Sequence, residues 1–306
     1  MRLGSPTRKG IVTGGTWCAD HNKFVTHWPR EEEVVEILTN EVRGGGSACN
    51  LGIDMKRLDP DIPVSTIGLI GDDEDGRILM AEADAAGIER SGLVIAETGS
   101  TSHTDAFTTA DTGRRTHLYL PGTAAKLSPD HFDFSTVNAR ILHLGLPGIH
   151  AAMDGAWDDD ANGWVTVLKK AQTAGIATNL ELCSVPVERI AQIVRPCLAH
   201  LDLLVVNDFE IAAIAGKDAV HSEDVDVQKC LLATRKVLAH GSMQLVVAHF
   251  PHGAVAVGAD GAEFLIPSVN IPTQSIQGTN GAGDAFAAGL FYGLHEDWDV
   301  PAAMEL

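Results

Sequence analysis

Short runs of apolar residues recur along the chain, and between them apolar positions fall every three or four residues. The runs are at 11–14, 64–70, 141–144, 177–180, 203–206 and 245–248. Each is short enough for a strand and continuous enough to be buried on both faces. Helical spacing covers 44–58 after three glycines, 77–86 with Gly87 to close it, 164–173, 187–198 and 227–240. Strands alternating with helices predict a doubly wound α/β protein around a central, mostly parallel sheet.

Two segments break that rhythm. Residues 23–41 and 101–120 are polar and alternating, with Thr, His and aromatic side chains. They predict antiparallel strands outside the main sheet, a small β lid drawn from two separated insertions at about 15–45 and 100–120. The acidic run Gly71-Asp72-Asp73-Glu74-Asp75-Gly76 reads as a turn. Residues 147–163 hold Asp154, Asp158, Asp159 and Asp160 without calcium-loop spacing, and read as a solvated acidic loop.

Composition narrows the class. The 306 residues are 45% hydrophobic and 21% charged, which suits one domain over 1–306. A formal net charge of −19 argues against a basic nucleic-acid surface. An anionic substrate then needs a local positive site, which backbone amides and helix starts supply. Five cysteines, an odd number with no C-x-x-C pair, read as reduced thiols of a cytoplasmic protein. No apolar run approaches the ~18 residues that span a bilayer, so no membrane partner is expected. The basic start lacks a secretory apolar region. Thirteen histidines show no H-E-x-x-H pairing, so zinc is not expected. Residues 301–306 read as the opening of a helix with no cap after it.

The most informative stretch is Gly278-Thr279-Asn280-Gly281-Ala282-Gly283-Asp284-Ala285-Phe286. Glycines let amides approach a phosphate, and a helix start favours an anion. An aspartate placed there repels phosphate but can take a proton from an attacking alcohol. The same Asp284 also suits a helix N-cap.

Gly44-Gly45-Gly46-Ser47-Ala48-Cys49-Asn50-Leu51-Gly52 and 279–286 resemble the two signature regions of the ribokinase-like, or PfkB, carbohydrate kinases. Between them, Ile67-Gly68-Leu69-Ile70-Gly71-Asp72-Asp73 resembles the family's second-strand turn. Gly113-Arg114-Arg115-Thr116 resembles its lid strand, and Asn207-Asp208-Phe209-Glu210 its N-x-x-E motif. The resemblance implies a three-layer α/β/α ribokinase-like fold with a β-sheet lid, and transfer of the γ-phosphoryl of ATP to a sugar hydroxyl with Mg²⁺. It makes Asp284 the base and the amides of Gly281, Ala282 and Gly283 the anion hole. Asp20, Gly45, Gly46 and Asn50 become substrate residues. Thr279, Asn280, Asn207 and Glu210 fall on the nucleotide side, Glu210 reaching the metal through water. It also implies a homodimer through the lid, and C-terminal helices beyond residue 306. Asn207 and Glu210 equally suit a helix start. Gly278 stands where the family usually has Asp, and His249 where a threonine–glycine pair is common. Two alternatives stay open. One is a nucleoside kinase, with Trp17, Phe107 and Trp28 stacking on a base. The other is a non-catalytic sugar- or nucleotide-binding regulator.

Overall fold

A computed structural model describes residues 3–5, 7–183, 185–216, 225–272 and 281–306. The chain opens with β1 (Ile11–Gly15), β2 (Cys18–Val25), β3 (Ile37–Gly45), α1 (Ser47–Leu58), β4 (Val64–Ile70), α2 (Glu74–Ala86) and β5 (Glu89–Ile95). Next come β6 (His103–Thr109), β7 (Arg115–Leu120), β8 (Ile141–Gly145), α3 (Ala151–Asp154), α4 (Gly163–Thr173) and β9 (Ala177–Leu180). The remainder is α5 (Val187–Val194), β10 (Leu203–Asn207), α6 (Asp208–Ile214), α7 (Val227–Leu238), β11 (Leu245–Phe250), β12 (Gly253–Gly258), β13 (Glu263–Pro267), α8 (Ala282–His295) and α9 (Val300–Glu305).

Nine strands form the main sheet in the order β13-β12-β11-β10-β9-β8-β1-β4-β5. All neighbours from β5 across to β11 pair in parallel, and β12 and β13 add on antiparallel. Each central strand feeds two cores, because side chains alternate across a sheet. On β10, Leu204 and Val206 join one core, with Trp164, Leu168, Ile193 and Val237 from the helices of that face. Leu203 and Val205 join the other, with Leu51, Met55, Leu290 and Phe291. This is why the strands read as unbroken apolar runs, and it gives three layers.

Four strands form a second sheet, β3-β2-β6-β7. Within it, β2 and β3 are antiparallel, as are β6 and β7. The expectation of purely antiparallel pairing fails at the centre, where β2 and β6 run parallel. The chain enters both strands after leaving the same edge of the main sheet, from β1 and from β5, so they point the same way.

Other boundaries also differ. Asp73 caps α2 by accepting from the Gly76 amide at 2.9 Å, so half of the acidic turn is the first turn of the helix. The helix expected over 187–198 stops at Val194 and tightens to a 3₁₀ turn, because Pro196 has no N–H to continue it. The loop over 147–163 is not merely solvated. Asp154 accepts from the Gly148 amide, Trp164 Nε1 and Arg189, each at 2.9 Å, and pins the loop to α4 and α5. Strands β5, β12 and β13 carry no strong apolar run and were not expected.

Candidate active site

Parallel strands place all their carboxyl ends along one edge, where doubly wound proteins bind ligands. At that edge lie Gly145 at the end of β8, Glu181 after β9, Asn207 on β10 and His249 near the end of β11. The starts of α1, α6 and α8 face the same edge.

Two of these helix starts are glycine turns. Gly281 is the N-cap of α8 at φ 76°, and Gly46 is the N-cap of α1 at φ 86°. Side chains rarely adopt this region, so glycine is the natural occupant. Neither start has a side-chain cap. The reading of Asp284 as an N-cap is therefore wrong: Gly281 holds that position. Asp284 lies in the first turn, beside the amides of Ala282 and Gly283.

Asn50, on α1, donates its amide to Asp284 Oδ2 at 3.1 Å, joining the two glycine turns. Asp284 Oδ1 is buried and receives no hydrogen bond among the described residues. The neighbouring carboxyl is Glu181, half-buried, with His143 Nε2 2.5 Å from Glu181 Oε2. Burial first, then mutual repulsion, pushes Asp284 well above the ordinary carboxylate range, and burial raises Glu181. Burial pushes His143 down to about 4, so the ring is neutral.

Asp20 lies on β2 against Gly45, where a Cβ would collide with its carboxylate. A Cβ on Gly46 would lie 2.6 Å from the Thr16 carbonyl oxygen. These glycines are thus required by packing of the protein itself. Burial raises the Asp20 pKa, while Arg115 and His117 on β7 pull it back. The register Asp20↔Thr104↔Tyr119 and Asn22↔Ala106↔His117 puts these side chains on one face of the second sheet. Arg115 donates to Asn22 Oδ1, but its Nε and the Tyr119 hydroxyl are buried without hydrogen-bond partners among the described residues.

On the other flank, Asn207 caps α6 by accepting from the Glu210 amide at 2.8 Å. Glu210 Oε2 accepts from the Asn207 amide at 3.1 Å, closing a capping box. The local helix-start reading of both residues is therefore realised. Burial raises Glu210 to about 7, with Glu181 adding to the rise. His249 is half-buried and neutral, pushed down to about 4 by desolvation, with its ring 5.4 Å from that of Phe286 and against Gly283. Thr279 and Asn280, like Gly278, lie outside the described residues. Among the described residues no three acidic, His or Cys side chains converge on a metal position.

The sequence matches the pfkB family carbohydrate kinase description over residues 9–306. The chain belongs to this family. It is 26% identical over 297 residues to the ATP-dependent ribose-1-phosphate kinase of Halopiger xanaduensis, covering 96% of this chain and 88% of that protein. It is 27% identical over 303 residues to the 5-dehydro-2-deoxygluconokinase of Geobacillus kaustophilus, covering 96% and 84%. The ribokinase of Arabidopsis thaliana, solved with ribose and ATP, superposes with a TM-score of 0.77 at 21% identity, covering 97% of this chain and 89% of that one. The chain is therefore a sugar kinase with the ribokinase-like fold, from a family whose kinases use ATP.

Against that pfkB background, several residues stand out that the sequence did not flag. His143 lies inside the apolar run 141–144 and Glu181 just beyond the run 177–180; the available signal is a carboxyl directly after a parallel strand. The aromatic surface expected for a nucleoside does not assemble. Trp17 is buried with Nε1 donating to Thr66 at 2.8 Å, and Phe107 pairs with Trp28 on the opposite face of the second sheet from Thr104. Cys18, Cys49, Cys197 and Cys230 are buried, and burial pushes Cys18 to about 12.

Proposed function

We propose that this pfkB kinase moves the γ-phosphoryl of ATP to a hydroxyl of an anionic sugar, with Asp284 as the base. The observation that carries the reading is the meeting of Asp284, in the first turn of the uncapped helix α8, with Asn50 from the other glycine turn. The acceptor hydroxyl gives its proton to Asp284 as its oxygen bonds the γ-phosphorus, and the bond to ADP breaks. Amides of Gly281, Ala282 and Gly283 stabilise the charge that builds on the transferring group. Mg²⁺ bound to the triphosphate neutralises charge there. Absence of a protein cage among the described residues fits an ion held mainly by phosphates and water. Glu210, with one oxygen committed to the capping box, has its other oxygen to address that water.

The second sheet supports an acceptor bearing phosphate or carboxylate. Arg115 Nε and the Tyr119 hydroxyl are buried donors without hydrogen-bond partners among the described residues, next to His117 and facing Asp20. A buried donor left unmade is costly, and an anion satisfies it. The ribose-1-phosphate kinase and the 5-dehydro-2-deoxygluconokinase are named for acceptors of this kind. In this reading the sheet is the lid and the chain is cytoplasmic. Exposed Ile37, Leu38, Leu118 and Leu120 on its edge strands support pairing of two lids in a homodimer, which light scattering would test.

ADP release with Mg·ATP against neutral sugars, sugar phosphates, sugar acids and nucleosides tests the proposal. Turnover should be highest with an anionic sugar, and Arg115→Met should raise its KM about tenfold or more with a smaller change in kcat. Preference for a neutral sugar would remove the anionic acceptor. Ligand binding with no ADP formation would return the chain to a binding role.

A further inference from the structure

Behind Asp284 runs a chain of hydrogen bonds whose direction the structure fixes. The Val205 amide donates to Asn179 Oδ1 at 3.2 Å, which orients that side chain. Asn179 Nδ2 therefore faces His143 Nδ1, at 3.1 Å, and donates to it. A neutral imidazole that accepts at Nδ1 carries its hydrogen on Nε2. His143 Nε2 thus donates to Glu181 Oε2 across 2.5 Å. The Glu181 amide, bonded to the Leu144 carbonyl at 2.8 Å, ties the residue to β8. At the far end Glu181 meets Asp284, whose Oδ1 is buried and has no donor among the described residues.

Two facing carboxylates cannot both be charged in such a place. An ionised oxygen at Oδ1 would be stranded, whereas a carboxyl O–H there is satisfied by donating. Glu181 already receives the short bond from His143, while among the described residues Asp284 receives only the longer one from Asn50. We propose that Glu181 is the proton partner of the catalytic carboxyl: before substrate binds, Asp284 carries a proton donated to Glu181, and the base is freed when that proton crosses to Glu181 or leaves. An acceptor hydroxyl donating to Asp284 favours this crossing. After transfer, the hydroxyl proton resides on Asp284 and is shared again. Glu181 acts through Asp284 and is a positioning residue. The other titratable groups around the pair are Glu210 from α6, Cys183 after β9, and Cys49 on α1. The acidic and thiol neighbours reinforce protonation, because any charge they carry is negative.

This inference rests on the kinase reading, and its test separates the two. In Glu181→Gln, His143 still donates to the side-chain oxygen, and the amide then donates to Asp284. The acid limb of the kcat–pH profile should move down by about two units, because the base no longer shares a proton. A Glu181 that served only to hold His143 would leave the limb in place, and that result overturns the proposal. Carboxyl ¹³C NMR of the wild-type protein gives a readout free of turnover and of the variant's folding. A signal titrating near neutrality, identified by its loss in Asp284→Asn, is expected; its absence overturns the proposal. If no acceptor turns over while this signal is present, the kinase reading fails and the shared proton stands.

Discussion

The α1 and α8 starts share a backbone conformation and differ in what lies in front of it. At Gly46, φ 86°, the space a Cβ would enter is filled by Thr16, and the Ala48 amide donates to the Thr16 carbonyl at 3.2 Å. At Gly281, φ 76°, the nearest atom to such a Cβ among the described residues is an Asp284 oxygen at 4.0 Å, and Gly281 is exposed. Among the described residues, one helix start is filled by protein and the other is not; in the proposed reading the second takes the ligand. The contrast shows that a glycine turn has no function by itself; what occupies its concave side decides. A third start, α6, makes the same point from the opposite side, because Asn207 and Glu210 close it with their own side chains.

The open start should be sensitive in catalysis and the filled one in folding. Asp284→Asn, at the open turn, should lower kcat by about 10²–10⁴ with acceptor affinity changed only a few-fold, measured by ADP release and calorimetry. Gly281→Ala should lower kcat/KM by roughly 10², because a strained φ displaces the amides, with little change in melting temperature. Gly46→Ala should instead destabilise the protein by roughly 2–4 kcal/mol in urea titration, since its Cβ meets backbone. If both glycine variants lost only stability, the open turn would have no ligand.

The closed start gives the smallest effect. Glu210 has a folded pKa of about 7 against an ordinary 4.5, from burial. The folded state therefore holds a proton that the unfolded state releases, so this contribution is full below pH 4.5 and fades as pH rises through 7. Glu210→Gln keeps the cap and removes that titration. Its stability relative to wild type should improve by on the order of 1–3 kcal/mol between pH 5 and 8 in denaturant titrations at each pH.

Local chemistry was legible in the sequence, and long-range pairing was not. Asp284 and its glycines lie within a few residues of each other, so spacing alone places them on one turn. Asn50 reaches Asp284 across 234 positions, yet glycine-rich turns at both ends gave a clue. Glu181 and His143 gave none. They meet because β8 and β9 pair with His143 opposite Asn179, a register set by packing on both faces. The edge hairpin β12–β13 was missed because Gly253-Ala254-Val255-Ala256-Val257-Gly258 is built of small residues that no periodicity singles out.

The second sheet is joined to the first with almost no slack. Only Thr16 and Trp17 separate β1 from β2, and only Gly46 separates β3 from α1. The first of these joints is also fastened sideways: the Thr16 amide donates to Gly145 at 2.9 Å, Thr16 Oγ1 bonds His150 at 2.7 Å, and Trp17 is held by Thr66. A hairpin gripped at both feet cannot swing like a flap on a loose hinge. It can only flex along its length, as a leaf spring does, with displacement growing from Asp20 near the grip to Phe24 near the tip. In the proposed lid, contacts close to the grip act as a fixed gauge for the acceptor, and those near the tip are the ones that adjust to it.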